Sequence, residues 1–176
     1  MDTELTPEQE MLKKSVRDFT DGVIRPRAHD LDEKGEYPRA IVKQMAELGL
    51  MAVAVPEKWG GAGLDTVSYV LAMEEISRGC ASCGVIMSVN NSLYCDPILK
   101  FGTDAQRETW LTPYARGEKL GCFALSEPGS GSDASAMKAV AKRSGNEWVL
   151  SGTKNFITNA GEANACILFA MTTTGV

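Results

Sequence analysis

Phe123-Ala124-Leu125-Ser126-Glu127-Pro128-Gly129-Ser130-Gly131-Ser132-Asp133 runs from an apolar segment into a bend rich in Pro, Gly and Ser. The apolar run Gly121 to Leu125 predicts a strand, and the residues after it predict a tight turn. Glycines let a backbone approach a ligand closely. A turn of this kind also gathers several N–H groups, which suits a phosphate or a polar ring edge. Ser126 and Ser132 add hydroxyls. Composition alone does not separate this from a plain surface turn. The pattern is not G-x-G-x-x-G and lacks a strand–helix–strand setting, so the Rossmann fingerprint does not apply.

Downstream, Val140 to Arg143 and Trp148 to Leu150 flank Ser144-Gly145-Asn146 and predict a hairpin. Asn155-Phe156-Ile157-Thr158-Asn159-Ala160 follows, with Phe156 to Thr158 predicted as a strand. An aromatic two positions from a hydroxyl puts both on one strand face, where the ring could stack and the Thr donate. A core Phe gives the same pattern more often. Cys166 to Met171 predicts a further strand, and a few strands of this kind neither close a barrel nor cover both faces of a sheet.

Upstream, apolar residues recur at helical spacing, and the composition shifts near Glu118. Thr6, Pro7 and Gln9 form a helix start ahead of the stripe Leu12, Val16, Phe19 and Val23. Gly22 and Pro26 suggest a break before a short helix through Leu31. Pro38 opens a helix with Ile41, Val42, Met45 and Leu48 inward, and Gly49 ends it. Asp65 caps a helix carrying Val67, Val70, Met73 and Ile76, and Ser82 caps one carrying Val85, Ile86, Val89 and Leu93. Thr103 and Gln106 form a second capping box. The fold class expected is α+β. An N-terminal all-α domain (residues 1–118) precedes the first strands of an incomplete β-barrel or sandwich domain (residues 119–176).

The 176 residues are 44% hydrophobic and 23% charged, as in ordinary globular proteins, with a net charge of −5. No Lys/Arg run stands out, so neither nucleic acid nor membrane is an expected partner. Five cysteines, an odd number, argue against a disulfide framework and suit a reducing compartment. The acidic start MDTELTPEQE shows no targeting segment. Cys80-Ala81-Ser82-Cys83 has C-x-x-C spacing, but there is no second pair and only one His, so a zinc site is not expected. A thioredoxin-like role would want a strand before the motif, where a helix end is predicted. Glu74 and Glu75 point about 100° apart on a helix and read as a solvated face rather than a dyad. Nothing local suggests a raised pKa at Glu127, and the Met residues at helical spacing read as core.

Together, the bend at 123–133 and the stretch at 155–160 closely resemble the flavin-binding signature of the acyl-CoA dehydrogenase family. In that family Leu-Ser/Thr-Glu-Pro-x-x-Gly-Ser-Asp meets FAD and an aromatic-Ile-Thr-Asn strand packs on the flavin. Met73 to Gly79, Gly84 to Tyr94 and Pro97 to Gly102 look most like the short-chain, butyryl-type branch. Val55-Pro56-Glu57 with Gly60-Gly61-Ala62-Gly63 also fits the family's helical domain, so the likeness covers nearly the whole chain.

The resemblance implies roles. Phe123, Ala124, Leu125, Ser126, Glu127, Pro128, Gly129, Ser130, Gly131 and Ser132 should line FAD, mostly through main-chain groups. Ser126 should reach the pyrimidine edge, and Ser132 should lie where the FAD pyrophosphate and acyl-CoA come close. Phe156, Trp in many relatives, should pack on the isoalloxazine, with Ile157 beside it and Thr158 near N5. The implied reaction is FAD-dependent oxidation of an acyl-CoA, of short chain by overall likeness, to the trans-2-enoyl-CoA. Electrons then go to an electron-transferring flavoprotein, and the implied full-length form is a homo-tetramer. The family's catalytic Glu belongs to a C-terminal helical domain without a counterpart in these residues. No catalytic residue is therefore expected here, and this polypeptide is expected to be inactive and to hold FAD weakly or not at all. The compartment implied is the mitochondrial matrix in a eukaryote and the cytoplasm in a bacterium. Two other readings remain: a non-catalytic truncated homologue acting as an interaction protein, and a helical structural module with a coincidental signature.

Overall fold

The computed structural model describes residues 4–172. Helices α1 (Pro7–Phe19), α2 (Arg25–Lys34), α3 (Arg39–Glu47), α4 (Thr66–Gly79), α5 (Ala81–Ser88), α6 (Asp96–Phe101), α7 (Asp104–Trp110) and α8 (Thr112–Ala115) come first. Strands β1 (Gly121–Ala124), β2 (Val140–Ser144), β3 (Glu147–Ser151), β4 (Ala165–Leu168) and β5 (Met171–Thr172) follow. The expected order of a helical part and then a few strands is thus what the chain forms. Among the described residues, no helix is long and apolar enough to cross a membrane.

Both capping boxes are present. Thr6 and Gln9 exchange side-chain and backbone bonds at the start of α1, as do Thr103 and Gln106 at α7. Asp65 caps α4, and Gly49 takes the left-handed conformation (φ 73°) beyond α3. One core cluster gathers Val16, Ile24, Ile41, Met45, Leu50, Ile76 and Met87 around α1, α3, α4 and α5. A second gathers Val55, Tyr94, Cys95, Leu111 and Tyr114 and carries Ala165 and Ile167 of β4 on its edge.

Several expectations are corrected. The chain does not break at Gly22; a π-helical turn, Thr20–Ile24, runs α1 into α2, absorbing the extra residue while keeping backbone bonds. A longer one, Val89–Cys95, continues α5. Cys80, not Ser82, occupies the N-cap of α5. Leu48, Val67, Val70, Val85 and Leu93 are exposed rather than inward. On α4 the buried face is Ser68, Leu71, Ala72, Glu75 and Ile76, because small and paired residues let α4 lie close to α1. Glu75, read as solvated, is only 1% exposed. Arg17 reaches it with two bonds (2.6 and 3.0 Å) and Arg78 with one (3.1 Å), holding its carboxyl below the usual range against the cost of burial. Glu74 does face solvent.

β1 and β4 pair in parallel, with Cys122 opposite Cys166. β2 pairs antiparallel with β3 and parallel with β5. The predicted hairpin forms, turning at Gly145 (φ 62°). The single strand expected over Cys166–Met171 is instead split, with β4 and β5 joining different sheets.

β1 is seated on the helical part by two devices. A Cβ at Gly121 would lie 2.0 Å from the Tyr94 ring, so only glycine lets the strand pass there. The Asn90 amide donates to the Met51 and Tyr114 carbonyls (2.9 and 3.2 Å) and accepts from the Gly121 N–H at 3.0 Å.

Candidate functional site

The bend after β1 is a two-residue turn. Glu127 and Ser130 pair across Pro128–Gly129, exchanging N–H to carbonyl bonds of 2.7 and 3.2 Å. Their side chains turn inward. The Glu127 carboxylate accepts from the Lys138 and Ala139 N–H groups (2.6 and 2.9 Å) and from Lys154 Nζ (2.8 Å). These donors, Lys154 first, hold its pKa down at about 2. Ser130 Oγ donates to the Asp133 carbonyl at 2.7 Å. With the anchors buried, Pro128, Gly129, Gly131 and Ser132 are left on the surface. The N–H groups of Gly129, Gly131 and Ser132 make no hydrogen bond among the described residues. These three donors lie open on the bend, on either side of the bonded Ser130 N–H.

The second stretch is stitched to the first. Lys154 Nζ also donates to the Leu125 carbonyl at 2.8 Å, and the Asn155 N–H donates to the Ser126 carbonyl at 3.0 Å. The strand expected over Phe156–Thr158 is corrected to a bend followed by turns. The reason is local. Phe156 (φ 58°) and Asn159 (φ 70°) both take the left-handed conformation, which no strand accommodates. For a bulky aromatic this is a genuine outlier of the kind that collects at ligand sites. The Phe156 ring is 92% exposed.

Asn159 fixes the far end of this loop. Its amide donates to the Gly121 and Ile86 carbonyls (3.2 and 3.5 Å), and Tyr37 Oη donates to its oxygen at 3.4 Å. Arg39 holds Glu162 with two bonds. Thr158 and Asn159 thereby form one wall of an open groove of about 510 Å³ whose other wall includes Tyr37, Ser82, Val85 and Ile86. The Asn155–Ser126 bond therefore brings Ser126 close to Phe156 in the chain's path, while Thr158 lines a groove to which neither Ser126 nor Phe156 contributes. The Ser126, Ser132 and Thr158 hydroxyls have no partner among the described residues. Ala124 is buried, and Leu125, Ser126, Ile157 and Thr158 are half-buried. Half-buried Phe123 packs on Phe169, ring centroids 5.4 Å apart.

An exposed flat ring, open hydroxyls and a run of open N–H groups suit a large ligand with an aromatic face, a polar edge and an anionic tail. FAD is such a ligand, and the residues present fit it. Sequence reasoning did not single out Lys154 or Tyr37, and it quoted Asn159 within the signature without giving it a role. Their roles arise from contacts between residues 27 to 122 positions apart, which no local pattern announces.

Residues 6–118 match the acyl-CoA dehydrogenase N-terminal domain and residues 122–176 match the middle domain. The chain is 57% identical over 169 residues to the mitochondrial short-chain specific acyl-CoA dehydrogenase of Bos taurus, covering 96% of this chain and 41% of that protein. It superposes on butyryl-CoA dehydrogenase from Megasphaera elsdenii with a TM-score of 0.91 at 38% identity, over 97% of this chain and 46% of the other. It superposes on a glutaryl-CoA dehydrogenase of Mycobacterium smegmatis in complex with FADH2 with a TM-score of 0.92 at 33% identity, over 97% and 44%. The chain thus spans less than half the length of these relatives. With matches along nearly all its residues and a fold held in common, the chain belongs to the acyl-CoA dehydrogenase family.

Proposed function

We propose that this chain supplies the flavin cradle and one wall of the acyl pocket for FAD-dependent oxidation of a short-chain acyl-CoA. The observation that carries the reading is the stitching of 154–155 onto 125–127, which sets Phe156 and the open Ser126 hydroxyl in one patch. The segment Phe123 to Ser132 lines the cofactor chiefly through main-chain N–H groups, with Ser126 at the pyrimidine edge. Ser132 serves the pyrophosphate and the acyl-CoA. Phe156 stacks on the ring system, Ile157 supports it, and Thr158 donates to the position that becomes electron-rich. Bound FAD supplies the two-electron acceptor for converting the thioester to the trans-2-enoyl-CoA. Neither Glu127 nor Glu75 serves as the base, since each is buried and fully engaged by cationic and amide donors. An electron-transferring flavoprotein as acceptor, and a tetramer as the working assembly, are part of the same proposal.

Titrating FAD into the chain, followed by quenching of flavin fluorescence, tests it. Weak saturable binding is expected. Ser126→Ala and Thr158→Ala should each weaken it by up to about tenfold, the worth of one hydrogen bond. Binding indifferent to both changes overturns the residue assignment, and no binding at all overturns a preformed cradle.

A further inference from the structure

Cys80 and Cys83 are outside the flavin patch, and the reading above leaves their spacing unused. In the structure they occupy the N-cap and third positions of α5. Those are the positions at which a capping box brings two side chains together, each reaching back toward the other's backbone. Here both are thiols, and Cys80 lies beside Cys83 at the start of the helix. Both are unpaired by disulfide. The helix end before them, which argued against a thioredoxin-like motif, does not matter to this contact. What matters is that a new helix begins at Cys80, where α4 stops at Gly79.

The two thiols differ in access. Cys80 is half-buried and lines a surface cleft of about 220 Å³ with Asp32, Gly35, Glu36 and Ser82. Cys83 is fully buried. Burial, with Cys80 beside it, pushes the Cys83 thiol up to about 12. This asymmetry sets an order of events, with the accessible sulfur attacking first and the buried one resolving within the chain, where proximity offsets its low acidity.

We propose that Cys80 and Cys83 form a reversible dithiol–disulfide couple whose reaction partner is a small disulfide of the glutathione type. Cys80 loses its proton and attacks one sulfur of that disulfide. The S–S bond breaks, one small thiolate departs and takes up a proton, and a mixed disulfide remains on Cys80. Cys83 then loses its proton and attacks Cys80 Sγ, expelling the second small thiol. Overall the protein dithiol is oxidised by two electrons and the small disulfide is reduced to two thiols. The bond closes the first turn of α5. Ser82, between the two cysteines, and Val85 and Ile86 on the next turn line the groove shared with Thr158 and Asn159, so the couple lies on the helix that forms that wall.

The test uses the full chain equilibrated in buffers of fixed reduced-to-oxidised glutathione ratio. After an acid quench, free thiols are alkylated in denaturant with one reagent. The chain is then reduced, labelled with a second reagent and sequenced by tandem mass spectrometry. The second label is expected on Cys80 and Cys83 together, with Cys95 and Cys122 keeping the first, because both lie buried in the core. Repeating the equilibration in urea supplies the control. The native pair is expected to have an oxidation constant at least about tenfold above that of the unfolded chain. A native constant equal to or below the unfolded one overturns the proposal, as does second label on Cys80 alone or shared with Cys166. The conservative variant Cys83→Ser is expected to arrest at the Cys80 mixed disulfide; a Cys80 that stays fully reduced in it overturns the attack order.

Discussion

Residues 6–118 hold nearly all of two buried apolar clusters, though Phe101, Val70 and Val85 among others stay exposed, whereas in β3 all five residues are exposed, and Trp148, Val149, Leu150, Phe169 and Met171 face outward. In the helical part the buried Glu75, Asn90 and Asn91 each meet two or more partners, Asn90 reaching Gly121 of β1, while the buried Thr20 hydroxyl has none among the described residues. The strand part instead presents an apolar face and open N–H groups. The contrast locates the buried core in the helical part and the open backbone donors in the strand part.

The sharpest way to break that contrast is a paired truncation. Ile76→Ala removes a fully buried side chain from the first cluster and should cost about 2–5 kcal/mol in denaturant unfolding. An effect below about 1 kcal/mol would show that the helical core is looser than its burial implies. An intermediate effect is expected at Glu127, a buried and strongly anchored carboxylate of the strand part. Its carboxyl ionises more readily folded than unfolded, so its stabilisation is complete above about pH 4.5 and fades as pH falls towards about 2. Glu127→Gln should therefore lower the thermal midpoint at neutral pH and flatten its fall across that window. Equal pH slopes for the two proteins would remove Glu127 from the anchor. At the small end, Val149→Ala on exposed β3 should change stability by less than about 0.5 kcal/mol. A larger loss would mean that β3 is covered in solution.

The same contrast explains what the sequence disclosed. Both capping boxes, the Asp65 cap, the Gly145 hairpin and the turn at Pro128–Gly129 are local, and their chemistry is written in adjacent residues. Helix faces were less legible. The Val67 and Val70 stripe suggested one inward face of α4, but Arg17 and Arg78 draw Glu75 inside and rotate the buried side. The two π-helical turns shift helix phase; Gly22 sits inside the first but reads as a break, and no Gly or Pro lies inside the second. Ser126, Phe156 and Thr158 were readable as a motif. Their juxtaposition depends on Lys154 and Asn159, whose partners are distant in sequence, and the left-handed Phe156 contradicts its own propensity.

Asn90 carries a consequence for motion. One amide satisfies backbone groups of Met51, Tyr114 and Gly121, three segments with no local reason to meet. Swinging β1 away would strand the Gly121 N–H and the Asn90 oxygen together in a dry interior. The junction is therefore a weld and not a hinge. The serine-bearing bend inherits its aim from the helices beneath it, and any opening of the site must come from the loop at 155–162 or from whatever packs above.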